Sequence, residues 1–397
     1  MTRLSLPAAR TVLTVSAVLL ICAATPARRE RAATLRVCPE GTPCRGKDPS
    51  IANIRVLLQD GARAHFSPSG GTLAFDRETA GRWDVYLSDL RGRETPLTRG
   101  RFGERSSGNA IFDPSGKFIV FISEEPRHFM QTGLHLANPG VGLFCNLWAA
   151  TADGEHFYQL THIPVKRTLW DKLPVRGVVN PRFSRDGSTL VWTERYDKGG
   201  GAWGSWRVQG ASFRVQDGVP ELLDEQTLVD PSPGNYVTAM GFLGDGRLLV
   251  AGNLDGQNEY GMDQYAVDLK SGARTNLTNT PDLWEEGSCI SPRDGRIVFM
   301  SNAASPYRLD FLNRNWAAQK IERDYWIMDA SGENRRRLTY FNDPKAPEYL
   351  GGRNIVAVCD ISPDAKHLAV TFGFDASDGS KPDMILKIIL IDFKQPV

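Results

Sequence analysis

From about residue 60 onward, apolar residues fall in short β-branched and aromatic runs separated by polar, glycine-bearing turns, and one pattern of such runs recurs. An apolar strand ends in Phe-Ser-Pro-x-Gly or a relative of it, and a Leu-Ala-Phe type of strand follows. After a variable gap come an aromatic-rich strand, a polar turn and a strand closing on Leu-Thr. The first element reads Phe66-Ser67-Pro68-Ser69-Gly70, then Phe112-Asp113-Pro114-Ser115-Gly116, then Phe183-Ser184-Arg185-Asp186-Gly187. It returns as Phe242-Leu243-Gly244-Asp245-Gly246, Ile290-Ser291-Pro292-Arg293-Asp294-Gly295 and Ile361-Ser362-Pro363-Asp364-Ala365. The closing pair stands at Leu97-Thr98, Leu160-Thr161, Leu277-Thr278 and Leu338-Thr339.

This pattern has a physical reading. Asp-Gly and Ser-Gly supply the positive φ angles of tight β-turns. Proline at the third motif position removes a donor where the strand is already ending. Segments such as 189–192 and 296–299 are apolar enough to pack on both faces. A lone four-stranded sheet cannot bury both faces, whereas radial stacking of sheets can, and it leaves only short edges. Six copies of one motif set aside a β-sandwich with accidental turn similarity. The sequence therefore predicts an all-β, six-bladed β-propeller of four-stranded antiparallel blades over residues 53–397. The sixth repeat stops without its Leu-Thr strand, and the apolar segment 53–59 has no other home. That segment is expected to pair beside 384–392 as the outer strand of the last blade, closing the ring.

The chain start differs. Arg3 and Arg10 precede an apolar run over residues 11–24, followed by small residues and Pro26, which reads as a secretory signal peptide over 1–27. The run is short for a membrane span, and Ile21 stands where a lipobox needs a small residue before Cys22, so plain secretion ranks above lipidation. Residues 28–52 read as a linker. Its Cys38 and Cys44 are candidates for a disulfide that export would allow, while Cys145, Cys289 and Cys359 read as buried thiols. With 47 basic and 46 acidic residues, no imbalance points to nucleic acid or an anionic surface. Hydrophobic and charged shares of 41% and 23% argue against bulk disorder.

The repeated residues carry a resemblance. The Phe-Ser-Pro-x-Gly turn, the strands Asp84-Val85-Tyr86-Leu87-Ser88-Asp89 and Tyr325-Trp326-Ile327-Met328-Asp329, and the closing Leu-Thr together resemble the TolB-like, WD-like propeller repeat. The resemblance implies a propeller fold and leaves activity open. TolB proteins carry an α/β domain before the propeller, where this sequence has only the short linker, so the likeness is to the repeat family and not to TolB itself.

Chemistry is sparser. The long connections (124–144, 302–323, 162–177 and 340–353) all belong to one face, and loops of such length are commonly functional. Trp170, Trp284, Tyr307, Trp316, Glu285, Glu286 and Arg308 form an aromatic and charged rim there, fit for recognition or for anchoring the loops to the ring. The inner strands bring His65, Arg182 and Asp360, with Arg63, Asn109 and Asn180 two residues further back in their strands, toward the axis, where a ligand or ordered water would meet them. No Gly-x-Ser-x-Gly elbow, paired-cysteine zinc motif or His-x-x-x-His spacing is present, and no cofactor is implied. His128 and His135 share one loop, and Asp255 to Asp263 is rich in oxygen donors without a calcium ladder; both read as surface features. The sequence reads as an exported, monomeric, non-catalytic binding or scaffold module of the cell envelope. Its ligand would be a protein, peptide or glycan held on the long-loop face. A propeller-type polysaccharide lyase or glycoside hydrolase acting on extracellular oligosaccharide is the alternative.

Overall fold

Every copy of the turn motif closes an innermost strand. In the computed structural model, β2 (Ala62–Phe66), β6 (Ser107–Phe112), β10 (Gly177–Phe183), β14 (Val237–Phe242), β18 (Glu285–Ile290) and β22 (Arg353–Ile361) each end on the motif's first residue. The structure describes residues 43–126, 128, 141–197, 204–258, 261–309, 319–375 and 384–397. The expected signal peptide, Cys38 and most of the linker lie outside them.

The motif's second residue explains the sharp reversal. Ser67, Ser184 and Ser362 accept, through Oγ, the first N–H of the following strand, and Asp113 does so through Oδ1. The turn then needs a left-handed residue, supplied by Gly70, Gly116, Gly187, Gly246 and Gly295. In the sixth copy Ala365 takes this position at φ 56, where its carbonyl accepts the Val397 N–H at 2.9 Å.

Six antiparallel four-stranded sheets follow in order around the ring. The first comprises β2, β3 (Thr72–Thr79), β4 (Arg82–Asp89) and β5 (Glu94–Pro96); the second β6, β7 (Phe118–Glu124), β8 (Cys145–Thr151) and β9 (Phe157–Gln159). The third has β10, β11 (Thr189–Asp197), β12 (Ser205–Gln216) and β13 (Val219–Val229). The fourth has β14, β15 (Leu248–Gly252), β16 (Asp263–Val267) and β17 (Arg274–Asn276). The fifth has β18, β19 (Ile297–Ser301), β20 (Asp324–Met328) and β21 (Arg336–Arg337). The core lies between blades: Phe121 and Ile119 of blade 2, for instance, pack on Ala74 and Val85 of blade 1 through Phe102.

The Leu-Thr signature is a clasp. Thr98, Thr161, Thr278 and Thr339 each accept, through Oγ1, the N–H of Val85, Leu147, Gln264 and Tyr325 at 2.8–3.0 Å. Each hydroxyl then donates to the side chain one residue earlier: Asp84, Asn146, Asp263 and Asp324. An acid or amide at the start of the third strand is thus locked to the end of the fourth. Blade 3 lacks the signature, and its outer hairpin runs on through Asp217-Gly218, both at positive φ, leaving Val215, Val219 and Leu223 exposed.

Blade 6 completes itself with both ends of the described chain. Its order is β22, β23 (His367–Asp375), β24 (Met384–Phe393) and β1 (Ile51–Leu58), with β1 antiparallel to β24. The N-terminal closing strand expected from the sequence is present, but it starts at Ile51 rather than at residue 53 and stops at Leu58. Its beginning is set by a turn in which Asp48 accepts from the Ser50 N–H and pairs with Arg336, after which Ile51 enters the core. Cys44 is disulfide-bonded and exchanges backbone hydrogen bonds with Ile54, covering part of the outer edge.

Two outcomes test this architecture. Thr339→Val, which leaves the Tyr325 N–H and Asp324 without the hydroxyl, should lower unfolding free energy by about 1–3 kcal/mol in chemical denaturation. Removing residues 28–59 should abolish cooperative unfolding or drive aggregation; an unchanged melting temperature would refute closure by β1.

Candidate functional site

Each inner strand carries a break in register: between Ala62 and His65, Gly108 and Ile111, Val179 and Arg182, Ala239 and Gly241, Glu286 and Cys289, and Val356 and Cys359. Such bulges turn a backbone amide away from its own sheet. Arg63, Asn109 and Asn180 sit at these bulges with φ of 50°, 55° and 53°. Their N–H groups reach side chains of the preceding blade: Thr371 Oγ1, the Asp76 carboxylate and Asn109 Oδ1. The three axial polar residues therefore join blades. Arg63 Nε pairs with Asp76 at 2.6 Å, Asn109 Nδ2 donates to Asn180 Oδ1, and Asn180 Nδ2 donates to Thr238 Oγ1. Burial raises the Asp76 carboxyl above its usual range in spite of Arg63 and the Asn109 amide.

Nearer the glycine-turn end, the axis holds a second set. Asp360 accepts the Phe66 N–H at 2.7 Å and lies 3.7 Å from His65 Nδ1. Arg182, from blade 3, donates to the Met240 and Pro181 carbonyls. Its pKa is lowered by burial, partly offset by Asp360 and by Cys289 and Cys359. His65 Nε2 and Arg63 Nη2 are buried and meet no protein hydrogen-bond partner. Positive and negative groups alternate here, which suits ordered water.

At the long-loop end, the residues around Trp284 form a third set. Trp284 Nε1 donates to Glu286 Oε2 at 3.1 Å, and the Arg323 guanidinium lies over the indole. Tyr236 also hydrogen-bonds Glu286 and packs edge-on against Trp206. Burial raises the Glu286 carboxyl, against the pull of Trp284, Arg323 and Tyr236, and lowers Arg323 to about 10. Glu285 points the other way, to Ser301 and Thr280, and burial raises it too.

The predicted rim thus divides. Trp284 is 2% exposed and anchors the ring, whereas Trp170 is 91% exposed. Arg308 is exposed, and Trp316 lies outside the described residues. His128 is buried on Glu124 and stacked on Phe144, and His135 is outside the described residues. Asp255 faces Arg274 and Asn276. Among the described residues no three His, Cys, Asp or Glu side chains are placed to hold a metal ion. No described helix is long and apolar enough to cross a membrane.

Sequence reasoning missed Asp76, Tyr236 and Arg323. Asp76 had a signal: it is an acid directly after Leu-Ala-Phe, where the other blades carry Ile122, Thr193, Ala251, Met300 and Thr371. Asp76→Ala would leave Arg63 buried without its counter-ion and should cost about 3–5 kcal/mol in urea unfolding.

No family model and no curated protein matches this chain. Solved structures with a similar fold include TolB from Acinetobacter baumannii, 13% identical with a TM-score of 0.47, covering 86% of this chain and 66% of its own. A puromycin hydrolase is 13% identical with a TM-score of 0.50 over 85% of this chain and 54% of its own. An oligogalacturonate lyase solved with manganese is 13% identical with a TM-score of 0.46 over 88% of this chain and 95% of its own. The chain spans about half of the hydrolase and two thirds of the TolB. The likeness is one of fold alone, that of a β-propeller.

Proposed function

We propose that this chain is an exported, non-catalytic propeller that binds a protein or peptide on its long-loop face, with Trp170 as the anchor. The observation that carries the reading is the way Trp170 is presented. Val165 is buried in the core and Val175 packs against it, so both ends of the connection are fixed. Between them Asp171 accepts from the Arg167 and Thr168 N–H groups and from the Thr168 hydroxyl. That turn holds Leu169, Trp170 and Leu173 outward, at 69%, 91% and 40% exposure. An isolated tryptophan in water on an ordered turn is a preformed contact, and little ordering entropy is lost when it docks. Glycans also stack on indoles, and a glycan ligand is the variant of this reading that the same surface would serve.

The lyase or hydrolase reading has one observation in its favour: Glu286, an acid whose burial favours the protonated form, stands beside Tyr236 and Arg323 at the same end of the axis. A panel of acidic and neutral oligosaccharides, with and without divalent metal, separates the two. Turnover that is lost in Glu286→Gln supports the enzyme. For the binding module, a photo-crosslinker placed at position 169 should capture a discrete envelope partner. Trp170→Ala should weaken that partner's binding at least 30-fold, the change expected of an anchor worth about 2 kcal/mol. Equal binding by the variant would refute Trp170 as the anchor.

A further inference from the structure

We propose that Cys289 and Cys359 form a disulfide that clasps blade 5 to blade 6 beside the axis. Their Sγ atoms lie 2.6 Å apart, and both residues are buried, at 5% and 1% exposure. Placement explains the meeting. Cys289 stands one residue before the motif at Ile290, and Cys359 stands two before Ile361. Side chains alternate along a strand, so the two thiols leave opposite faces of their sheets, and opposite faces of neighbouring blades are the ones that touch. The strands approach closely there: a Cβ on Gly287 would fall 2.5 Å from the Ala357 carbonyl, and Cys359 Sγ lies 3.3 Å from the Gly287 carbonyl oxygen.

The junction also lacks an oxygen acceptor that three of the other junctions have. At the blade 6–1, 1–2 and 3–4 junctions, Thr371, Asp76 and Thr193 accept a bulge amide from the next blade. Blade 5 carries Met300 at that position, a poor acceptor, and the Tyr325 hydroxyl donates instead to the Ala357 and Val358 carbonyls. A covalent link here would supply the connection that Met300 does not. Cys44 is already disulfide-bonded, which fits an oxidising compartment.

The chemistry balances with a disulfide as oxidant, either a small-molecule disulfide or that of an oxidoreductase. One thiolate attacks the oxidant's S–S bond, forming a mixed disulfide and releasing one thiol. The second cysteine attacks the protein sulfur of that mixed disulfide, forming the Cys289–Cys359 bond and releasing the second thiol. Two electrons and two protons pass to the oxidant. Burial pushes the Cys289 thiol well above its ordinary pKa, so thiolate is scarce once the blades have docked. Both sulfurs are buried in the finished ring, which shields the bond once it has formed.

The test uses the full chain, exported, purified without reductant, denatured in an alkylating reagent, digested and mapped by mass spectrometry. The expected result is a peptide pair joined through Cys289 and Cys359, two hydrogens lighter than the separate thiol peptides, dissolved by reductant, with Cys145 alkylated. The double variant Cys289→Ser, Cys359→Ser should melt roughly 5 °C lower than the oxidised protein, as loss of a cross-link spanning 70 residues would require. Alkylation of both cysteines in the unreduced protein, or a bond from either to another cysteine, would overturn the proposal. The map on the unmutated chain decides even if the double variant does not fold.

Discussion

The ring depends on backbone amides that leave their own sheets. Each inner strand breaks register once, and at most junctions the freed N–H is taken by the neighbouring blade: Thr371 for Arg63, Asp76 for Asn109, Asn109 for Asn180, Thr193 for Ala239. A buried amide without an acceptor would cost as much as several good contacts return. These hydrogen bonds fix how far one blade is rotated from the next. Hydrophobic packing between blades supplies most of the burial, but it is indifferent to small rotations. The bulge amide is not, and that is why polar residues persist so deep beside the axis.

This constraint decides what the axial groups are available to do. Arg63, Asn109 and Asn180 are engaged sideways, between blades. His65, Arg182 and Asp360 are less fully committed, yet they offset each other's charge. The outward face of the ring's long connections remains, and there the contrast between Trp284 and Trp170 is the informative one. The first holds the loops to the ring and orients Glu286. The second touches almost nothing of its own chain.

Much of the fold was legible because propeller turns use local chemistry. A Ser or Asp followed by proline and, two or three residues on, glycine writes a reversal into five or six consecutive residues, and repetition removes ambiguity. The closing strand was legible by elimination, since residues 53–59 had no other partner, although the Asp48 turn moved its start to Ile51. The Leu-Thr pair reads as a strand ending; its role as a clasp is hidden because the partner acid or amide lies about 14 residues upstream. The fates of the rim tryptophans were not legible. Trp170 and Trp284 occupy similar polar surroundings in sequence, and only the packing of distant strands buries one of them. Ala365 is a further case: nothing local requires a left-handed alanine, and the contact that holds it comes from Val397.

The pairing of β1 with β24 also sets an order in time. Residue 54 waits for residue 391 before it acquires its partner, so during synthesis a finished strand has no edge to join. Until then the first and last blades present open strands, the state in which β proteins associate with one another. Contacts so distant in sequence are slow to form. The chain is thus most vulnerable in the interval before β24 is available, and a factor that shields open edges during that interval would govern yield more than any change in the stability of the completed ring.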